Sequence, residues 1–231
     1  MDSREVSKAL RVRVRPELKR LAFSRFTGRK CWRVVSECTQ VVDFAALGSY
    51  LADSIGTTPY SFGCKLGVFF HCMAGVPWGQ AAIPDRPQEF ACQARRFLMK
   101  SLPQQELPRR DVWYVDDRGE NLEVVMNDVL HVFEAQAMPW FIAMSDLEDA
   151  LNVFEGQRER FEDQGIAVEL LGGQPGSYNR ASIASAIAFS LGQKQRAIAA
   201  WETMLANPYY ARHEDLKGKA VAAIQWIRSE N

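Results

Sequence analysis

The fold is decided by one stretch of ten residues, Ser61-Phe62-Gly63-Cys64-Lys65-Leu66-Gly67-Val68-Phe69-Phe70. Its last five residues contain one glycine and otherwise only apolar side chains. A short apolar run that is rich in aromatic and β-branched types is typical of a strand buried on both faces. We therefore expect a sheet in which residues 61–70 form a central strand.

Shorter segments of β type lie on both sides of this strand in the sequence. Residues 31–35 and 39–44 are β-branched and nearly alternating, which predicts two adjacent strands joined by a turn. Residues 90–98 and 111–115 predict two more strands, connected by a loop that contains proline. Ahead of the first strand, apolar residues at roughly helical spacing predict one helix over 3–21, or two that meet near Pro16.

From Gly119 onward the apolar spacing is helical. One helix is predicted from about 119, and a capping box of Ser145 and Glu148 predicts the start of the next. Further helices are expected at 182–191, 194–206 and 213–229. Between them, residues 168–171 predict a short strand or an extended connector. The glycine-rich segment 172–177 predicts a flexible connector, because it lacks the Gly-Lys-Ser/Thr ending of a phosphate loop.

Strands followed by helices indicate the α+β class. The predicted architecture is an antiparallel sheet with an N-terminal helix, followed by an all-helical C-terminal part. Along the chain this gives a sheet domain at 1–118 and a helical region at 119–231, packed on or beside the sheet.

The charges are segregated although 28 basic residues balance 28 acidic ones. Residues 1–110 carry 18 Lys/Arg and 9 Asp/Glu, whereas residues 111–164 carry 3 and 14. Such an acidic block is answered either by the basic N-terminal part of the same chain or by a basic partner. For a partner, the predicted contact residues are Trp113, Asp116, Asp117, Glu120, Glu123, Asp128, Asp146, Glu148, Asp149 and Glu155.

Several classes of protein are disfavoured. No segment approaches the ~20 apolar residues of a membrane span, and the polar, basic start does not look like a signal peptide. A cytoplasmic location is therefore expected, with the five cysteines as free thiols. We predict no catalytic residues, no cofactor and no metal, since Cys64, His71 and Cys72 match no standard zinc spacing and no nucleophile motif is present.

Four segments resemble the anchor segments of an uncharacterised bacterial family, a domain of unknown function that typically opens E-L-K-x-L-G-F and carries an L-G-V-F core strand. In chain order they are Glu17-Leu18-Lys19-Arg20-Leu21-Ala22-Phe23, Trp32, Leu66-Gly67-Val68-Phe69 and Cys92-Gln93-Ala94-Arg95-Arg96-Phe97-Leu98. The resemblance covers about residues 10–140 and implies a fold rather than a function. Ala22 stands where the pattern usually has glycine.

A second resemblance lies in the tail. Residues 187–208 are similar to one tetratricopeptide-type helical hairpin, in which Leu191-Gly192 ends one helix and Asn207-Pro208 closes the next. One such unit cannot bury its faces alone, because repeats need neighbours. The resemblance therefore predicts a helical cap on the sheet.

Together these features favour a cytoplasmic bacterial protein that binds another protein. One form of this hypothesis is an immunity protein whose acidic surface occludes the active site of a basic toxin, such as a nuclease. The alternatives are an uncharacterised enzyme and a nucleic-acid-binding protein that uses the basic N-terminal region. The sequence pI of about 6.8 disfavours a dedicated nucleic-acid binder.

Overall fold

The structure is a computed structural model that describes residues 1–103, 109–157, 159–163, 174 and 176–230. Its sheet is antiparallel throughout, with strand order β1-β2-β3-β4-β5. The strands are β1 (Arg25–Thr27), β2 (Lys30–Val35), β3 (Cys38–Ala46), β4 (Phe62–Phe70) and β5 (Ala94–Leu98). The predicted central strand is β4, which pairs on both sides. Strands first and helices afterwards confirm the α+β class.

Two predictions about strands were wrong in detail, and one strand was missed. Residues 111–115 make a single bridge, Phe62 with Trp113, rather than a strand. The strand expected at 90–98 is confined to its second half, because Glu89–Ala91 form a 3₁₀ turn. The three-residue edge strand β1 was missed, since Arg25–Thr27 is too short to show an apolar period.

The N-terminal helix spans Ser3–Arg20 without a break. It consists of α1 (Ser3–Ala9), a π-helical segment (Leu10–Val14) and α2 (Arg15–Arg20). The π-helical segment directly precedes the turn that holds Pro16, which has no N–H to donate to the carbonyl four residues earlier. The helix ends at Arg20, and Ala22, two residues later, has a left-handed φ of +66°. This conformation favours glycine, the residue of the resembled pattern.

The π-helical segment also keeps the helix in phase. Val6, Leu10, Val14 and Leu18 are all buried. In a regular α-helix, residues four apart advance by about 40° around the axis, so this row would wind away from the core. A π turn contains more residues than an α turn, which reverses part of that drift. One face of the helix therefore stays on the core along its whole length, and the opposite face stays exposed.

The remaining helices are α3 (Ser49–Ser54), α4 (Leu122–Val132), a π-helical segment (Phe133–Ala137), α5 (Met138–Ser145), α6 (Leu147–Phe154), α7 (Glu159–Glu162), α8 (Tyr178–Ser190), α9 (Lys194–Ala206), α10 (Pro208–Ala211) and α11 (Glu214–Ser229). The cap of α6 is Asp146, which accepts from the Asp149 amide, and not the predicted Ser145. The expected segment 168–171 and most of 172–177 lie outside the described residues. No described helix is long and apolar enough to cross a membrane.

The sheet and the helices share one hydrophobic core. Alternate sheet residues such as Val42, Phe44 and Leu66 belong to the same buried cluster as Trp140 and Trp201 from the helical part. A second, smaller cluster of Trp32, Val41, Phe69 and Cys92 lies on the other face of the sheet. The predicted boundary at 118/119 thus separates strands from helices along the chain, and one core crosses it.

The helices expected at 182–191 and 194–206 are present as α8 and α9, with Gly192 between them at a φ of +74°, and the resemblance to a tetratricopeptide hairpin stays a prediction. Trp78, from the loop after β4, connects this hairpin to the sheet part. Its ring meets Trp201 at 5.8 Å and Trp226 at 5.4 Å, and its indole N–H donates to the carbonyl of Ser182. The helical part is therefore fastened to the sheet part by an aromatic cluster.

Candidate functional site

Two of the ten predicted contact residues are buried in the core. Trp113 is fully buried, and its indole N–H donates to a carboxylate oxygen of Asp128 at 2.8 Å. Asp128 is 5% exposed and also accepts from the amide and the hydroxyl of Ser101. Their placement on an exposed acidic face was therefore wrong. Asp128 lies on the inward side of α4, where its carboxylate accepts the hydrogen bond from the Trp113 indole.

Asp116 belongs to the turn that precedes α4. Its carboxylate accepts from the backbone amides of Arg118, Glu120 and Asn121, at distances from 2.8 to 3.1 Å. Hydrogen bonds of this kind hold the pKa of Asp116 below its usual value, against the opposing effect of desolvation. The neighbouring Asp117 is exposed and accepts from the Tyr60 hydroxyl at 3.2 Å. Asp116 therefore stabilises the chain itself.

Arg196 on α9 binds two further predicted contact residues. It forms ion pairs with Glu148 and Glu155 of the segment around α6, and the contact to Glu155 is 2.7 Å. The hydrogen bond from Arg196 is the main cause that lowers the pKa of Glu148. Asp146 is exposed and caps α6, whereas Asp149 is half-buried in the first turn of that helix. Part of the acidic block is therefore neutralised by Arg196, which lies in the C-terminal part of the chain.

Only a small part of the predicted face is open to solvent. Glu123 is exposed and pairs with Arg13 of the N-terminal helix at 3.0 Å. Glu120 is exposed beside Arg118, at 3.6 Å. With Asp117 and Asp146, these are the exposed members of the predicted set. Of these four, Glu120 and Glu123 lie within 4 Å of a cation, whereas Asp117 and Asp146 accept from neutral donors.

The N-terminal helix has the opposite character. Five cations follow its outward side at spacings of four, three, four and four residues, and we call them the basic row: Arg4, Lys8, Arg11, Arg15 and Lys19. All except the half-buried Arg15 are exposed. Within the described part of the chain, none of the four exposed cations has a carboxylate within 4 Å, while Arg13 and Arg20 beside the row are paired. The row is therefore a positive surface without close ion pairs at its four exposed cations.

Arg29, in the turn between β1 and β2, contacts the N-terminal helix beside the basic row. Arg29 donates through Nε to the Ser7 hydroxyl at 2.9 Å, and through Nη2 to the Ser3 carbonyl and hydroxyl. Gly28, with a φ of +59°, allows the tight turn that places it there. Burial lowers the pKa of Arg29. No pattern in the sequence indicates that Arg29 contacts the helix.

A small cavity lies between the helix and this turn. Its volume is about 30 Å³, and its lining includes Arg11, Arg15, Phe26, Gly28 and Arg29. The Arg15 guanidinium lies over the Phe26 ring at 4.2 Å. Two guanidinium nitrogens of the lining residues, Nε of Arg15 and Nη1 of Arg29, are buried without a hydrogen-bond partner among the described residues. Both nitrogens are closed to solvent, so neither donor is open to the space in the cavity.

The thiols and imidazoles do not converge. Cys64 is buried within β4, His71 Nε2 is 2.9 Å from the Thr39 hydroxyl, and burial raises the pKa of Cys72 to about 11. All five cysteines are free. Among the residues that the structure describes, no three His, Cys, Asp or Glu side chains are grouped so that they could hold a metal ion.

Comparison with known proteins adds no assignment. No family model matches the chain, and neither the curated proteins nor the solved structures give a match. The resemblance to an uncharacterised bacterial family therefore stays a prediction, and the function is argued from the surface alone.

Proposed function

We propose that this protein binds nucleic acid through the basic row of its N-terminal helix. The observation that carries the proposal is that the four exposed cations of the row have no carboxylate within 4 Å in the described part of the chain. A row of unpaired Lys and Arg along one helix face is the usual electrostatic footprint of phosphate binding. The acidic block, which weighed against this function in the sequence, is partly buried and partly paired.

The length of the row suits a nucleic-acid backbone. Arg4 and Lys19 are fifteen residues apart, which corresponds to about 22 Å along a helix at 1.5 Å per residue. One strand of a B-form duplex presents about six phosphates over that distance. Because that strand winds around the duplex axis, the straight row reaches only the phosphates on its own side, and five contacts are an upper limit. Because the opposite face of the helix is packed on the core, the row is held straight and needs no ordering when it binds.

Binding of this kind has a defined salt dependence. Five phosphate contacts give a slope of about −4.5 for log K against log salt concentration, which weakens binding roughly 10²–10³-fold between 50 and 200 mM. No base-reading side chains are proposed, so affinity is expected to vary little with sequence. Fluorescence anisotropy with a labelled 20-base-pair duplex of arbitrary sequence measures both properties.

The test compares two triple variants of equal net charge. Neutralising Lys8, Arg11 and Lys19 to Gln is expected to weaken binding at least 100-fold at 50 mM salt and to reduce the slope by about three. The control neutralises Arg212, Lys217 and Lys219 near and on α11, and is expected to change affinity less than 3-fold. Absence of duplex binding by the native protein at 50 mM salt, or equal effects of the two variants, would refute the proposal.

The hypothesis that the protein neutralises a toxin stays a prediction, and only part of its predicted contact surface is exposed. Its exposed predicted residues are Asp117, Glu120, Glu123 and Asp146. Reversing Glu120 and Glu123 to Lys tests it, since rim charges act mainly on the association rate with a basic partner. In the proposed function the same reversal strengthens duplex binding instead. The two hypotheses therefore predict opposite responses to one variant.

A further inference from the structure

We infer that the pocket between α11, the start of α8 and the loop after β4 is a binding site for a small planar aromatic anion. We call it the aromatic pocket, and its lining includes Trp78, Tyr178, Lys219, Ala222, Ala223 and Trp226. None of these residues belongs to the basic row. The inference therefore goes beyond the proposed function and does not depend on it.

Two indole rings of the pocket form a corner. The Trp226 ring lies 5.4 Å from the Trp78 ring, and their planes are 83° apart. Trp78, Tyr178 and Trp226 are each half-buried, so each keeps surface that a ligand can reach. Aromatic rings favour offset-stacked and edge-to-face contacts. A planar aromatic ligand that stacks on one indole meets the other edge to face, so both favoured contacts form together.

Both indoles are held in place before any ligand arrives. The Trp78 N–H donates to the Ser182 carbonyl at 3.0 Å, and its ring lies 5.8 Å from the buried Trp201 ring. The Trp226 ring packs on Phe189 at 4.9 Å. Side chains that are already oriented lose little freedom on binding, which favours affinity.

The pocket is large enough for two fused rings. Its volume is about 530 Å³, which lies within the range of about 300–1,000 Å³ that is typical of small-molecule sites. A single benzene ring fits in a cavity of about 150 Å³. Ala222 and Ala223 line the pocket from α11 with side chains of one carbon each. A larger side chain at either position would therefore take up space that the ligand needs.

Lys219 gives the pocket a positive charge. Its ammonium nitrogen lies 6.0 Å from the centre of the Tyr178 ring. Of the residues whose positions are described, none places a carboxylate within 4 Å of Lys219, whereas Lys217 on the same helix pairs with Glu214 at 3.4 Å. The described residues that line the pocket include no acidic side chain. An anionic group on the ligand is therefore favoured over a neutral or cationic one.

The probe is 2-naphthoate, titrated into the ¹⁵N-labelled full chain and followed by the indole N–H signals in ¹H–¹⁵N NMR. The signals of Trp78 and Trp226 are expected to shift, while that of Trp140, which is fully buried elsewhere in the core, does not. A ligand of about 13 non-hydrogen atoms is expected to bind with a Kd of about 0.1–1 mM. Two matched probes, the neutral 2-naphthylmethanol and the saturated decahydro-2-naphthoate, are each expected to bind at least 3-fold more weakly.

Two pairs of variants test the pocket and its charge. Ala222→Phe fills the pocket and is expected to weaken 2-naphthoate binding at least 10-fold, whereas Val221→Phe adds bulk at a neighbouring exposed position outside the lining and changes it less than 2-fold. Lys219→Gln is expected to weaken 2-naphthoate at least 3-fold and to leave the neutral probe within 2-fold. Lys217→Gln removes the same charge outside the lining and changes neither probe more than 2-fold.

Three results would overturn the inference. The first is no shift of the Trp78 and Trp226 signals at about 10 mM 2-naphthoate, ten times the upper expected Kd. The second is an equal effect of Ala222→Phe and Val221→Phe, and the third is equal binding of the neutral and the anionic probe. Circular dichroism checks that each variant is folded, and Lys219→Gln, at an exposed position, gives a test that does not depend on Ala222→Phe. Stacked base pairs of a duplex cannot enter the pocket, so duplex binding and naphthoate binding succeed or fail separately.

Discussion

Replacing Asp128 by Ala tests whether this carboxylate is a core residue or part of an acidic surface. Asp128 is 5% exposed and accepts from the indole N–H of Trp113 and from the amide and hydroxyl of Ser101. In the variant the Trp113 N–H remains fully buried and has lost its acceptor. Ser101 is exposed, so its donors can turn to water.

These contacts set the size of the effect. A hydrogen bond to a charged acceptor contributes about 1.5–3 kcal/mol, and the two Ser101 donors add about 1 kcal/mol because water replaces most of what they lose. Alanine in the middle of α4 regains about 0.5 kcal/mol through helix propensity. The expected net loss is about 3 kcal/mol. For a chain of 231 residues this lowers Tm by about 6–12 °C.

Urea unfolding followed by tryptophan fluorescence and circular dichroism measures the loss directly. The matched control is Glu123→Ala, five residues earlier on the same helix, where an exposed ion pair contributes about 0–1 kcal/mol. The midpoint is expected to shift in Asp128→Ala with little change in m. Similar small losses in both variants would refute the buried hydrogen-bonded role and return Asp128 to the surface.

Three other expectations concern stability and reactivity. Arg196 lowers the pKa of Glu148, so this ion pair stabilises the fold above about pH 4.3 and loses that effect as the pH falls through the lower pKa of the folded state. The Arg196→Met variant should therefore show a smaller drop in Tm between pH 5 and pH 3 than the native chain. With a pKa of about 11, the Cys72 thiol should resist iodoacetamide at pH 8, whereas mass spectrometry after denaturation should show five alkylated cysteines, and rapid native labelling would contradict its burial. Trp78→Ala should lower the free energy of unfolding by about 3 kcal/mol, because the ring fastens the helical part to the sheet, and an unchanged urea midpoint would show that Trp201 packs without it.

The strands of the sheet were predictable where the sequence shows an apolar or alternating pattern. They were less predictable where contacts between distant residues determine the structure. Strand β4 and its neighbours carry long apolar or alternating runs, and they form as expected. Residues 111–115 carry a similar pattern, but Trp113 is turned to the core by its bond to Asp128 and by stacking on Phe62 at 5.8 Å. Only one bridge to β4 remains. A local pattern could not distinguish this buried extended segment from a strand.

For the candidate site, the sequence indicated which basic residues are present but not which of them are unpaired. The basic residues of the helix were visible in the sequence, and their spacing at four, three, four and four residues follows a helix face. Which of them are unpaired depends on contacts between distant segments, such as Arg13 with Glu123. The cavity needs Arg29 to reach the helix through Ser3 and Ser7, from a turn more than twenty residues away. Charge counts carry no information about such contacts.

A net charge of zero therefore describes this surface poorly. Acidic side chains are engaged within the chain in three ways: Asp128 is buried, Asp116 accepts from backbone amides, and Glu148 shares Arg196 with Glu155. Among the described residues, the exposed cations of the basic row have no carboxylate within 4 Å. Screening restricts surface fields to about 10 Å at 0.1 M salt, so an approaching partner responds to the local row rather than to the sum over the chain. An anionic partner is favoured at the N-terminal helix even though the whole protein is neutral.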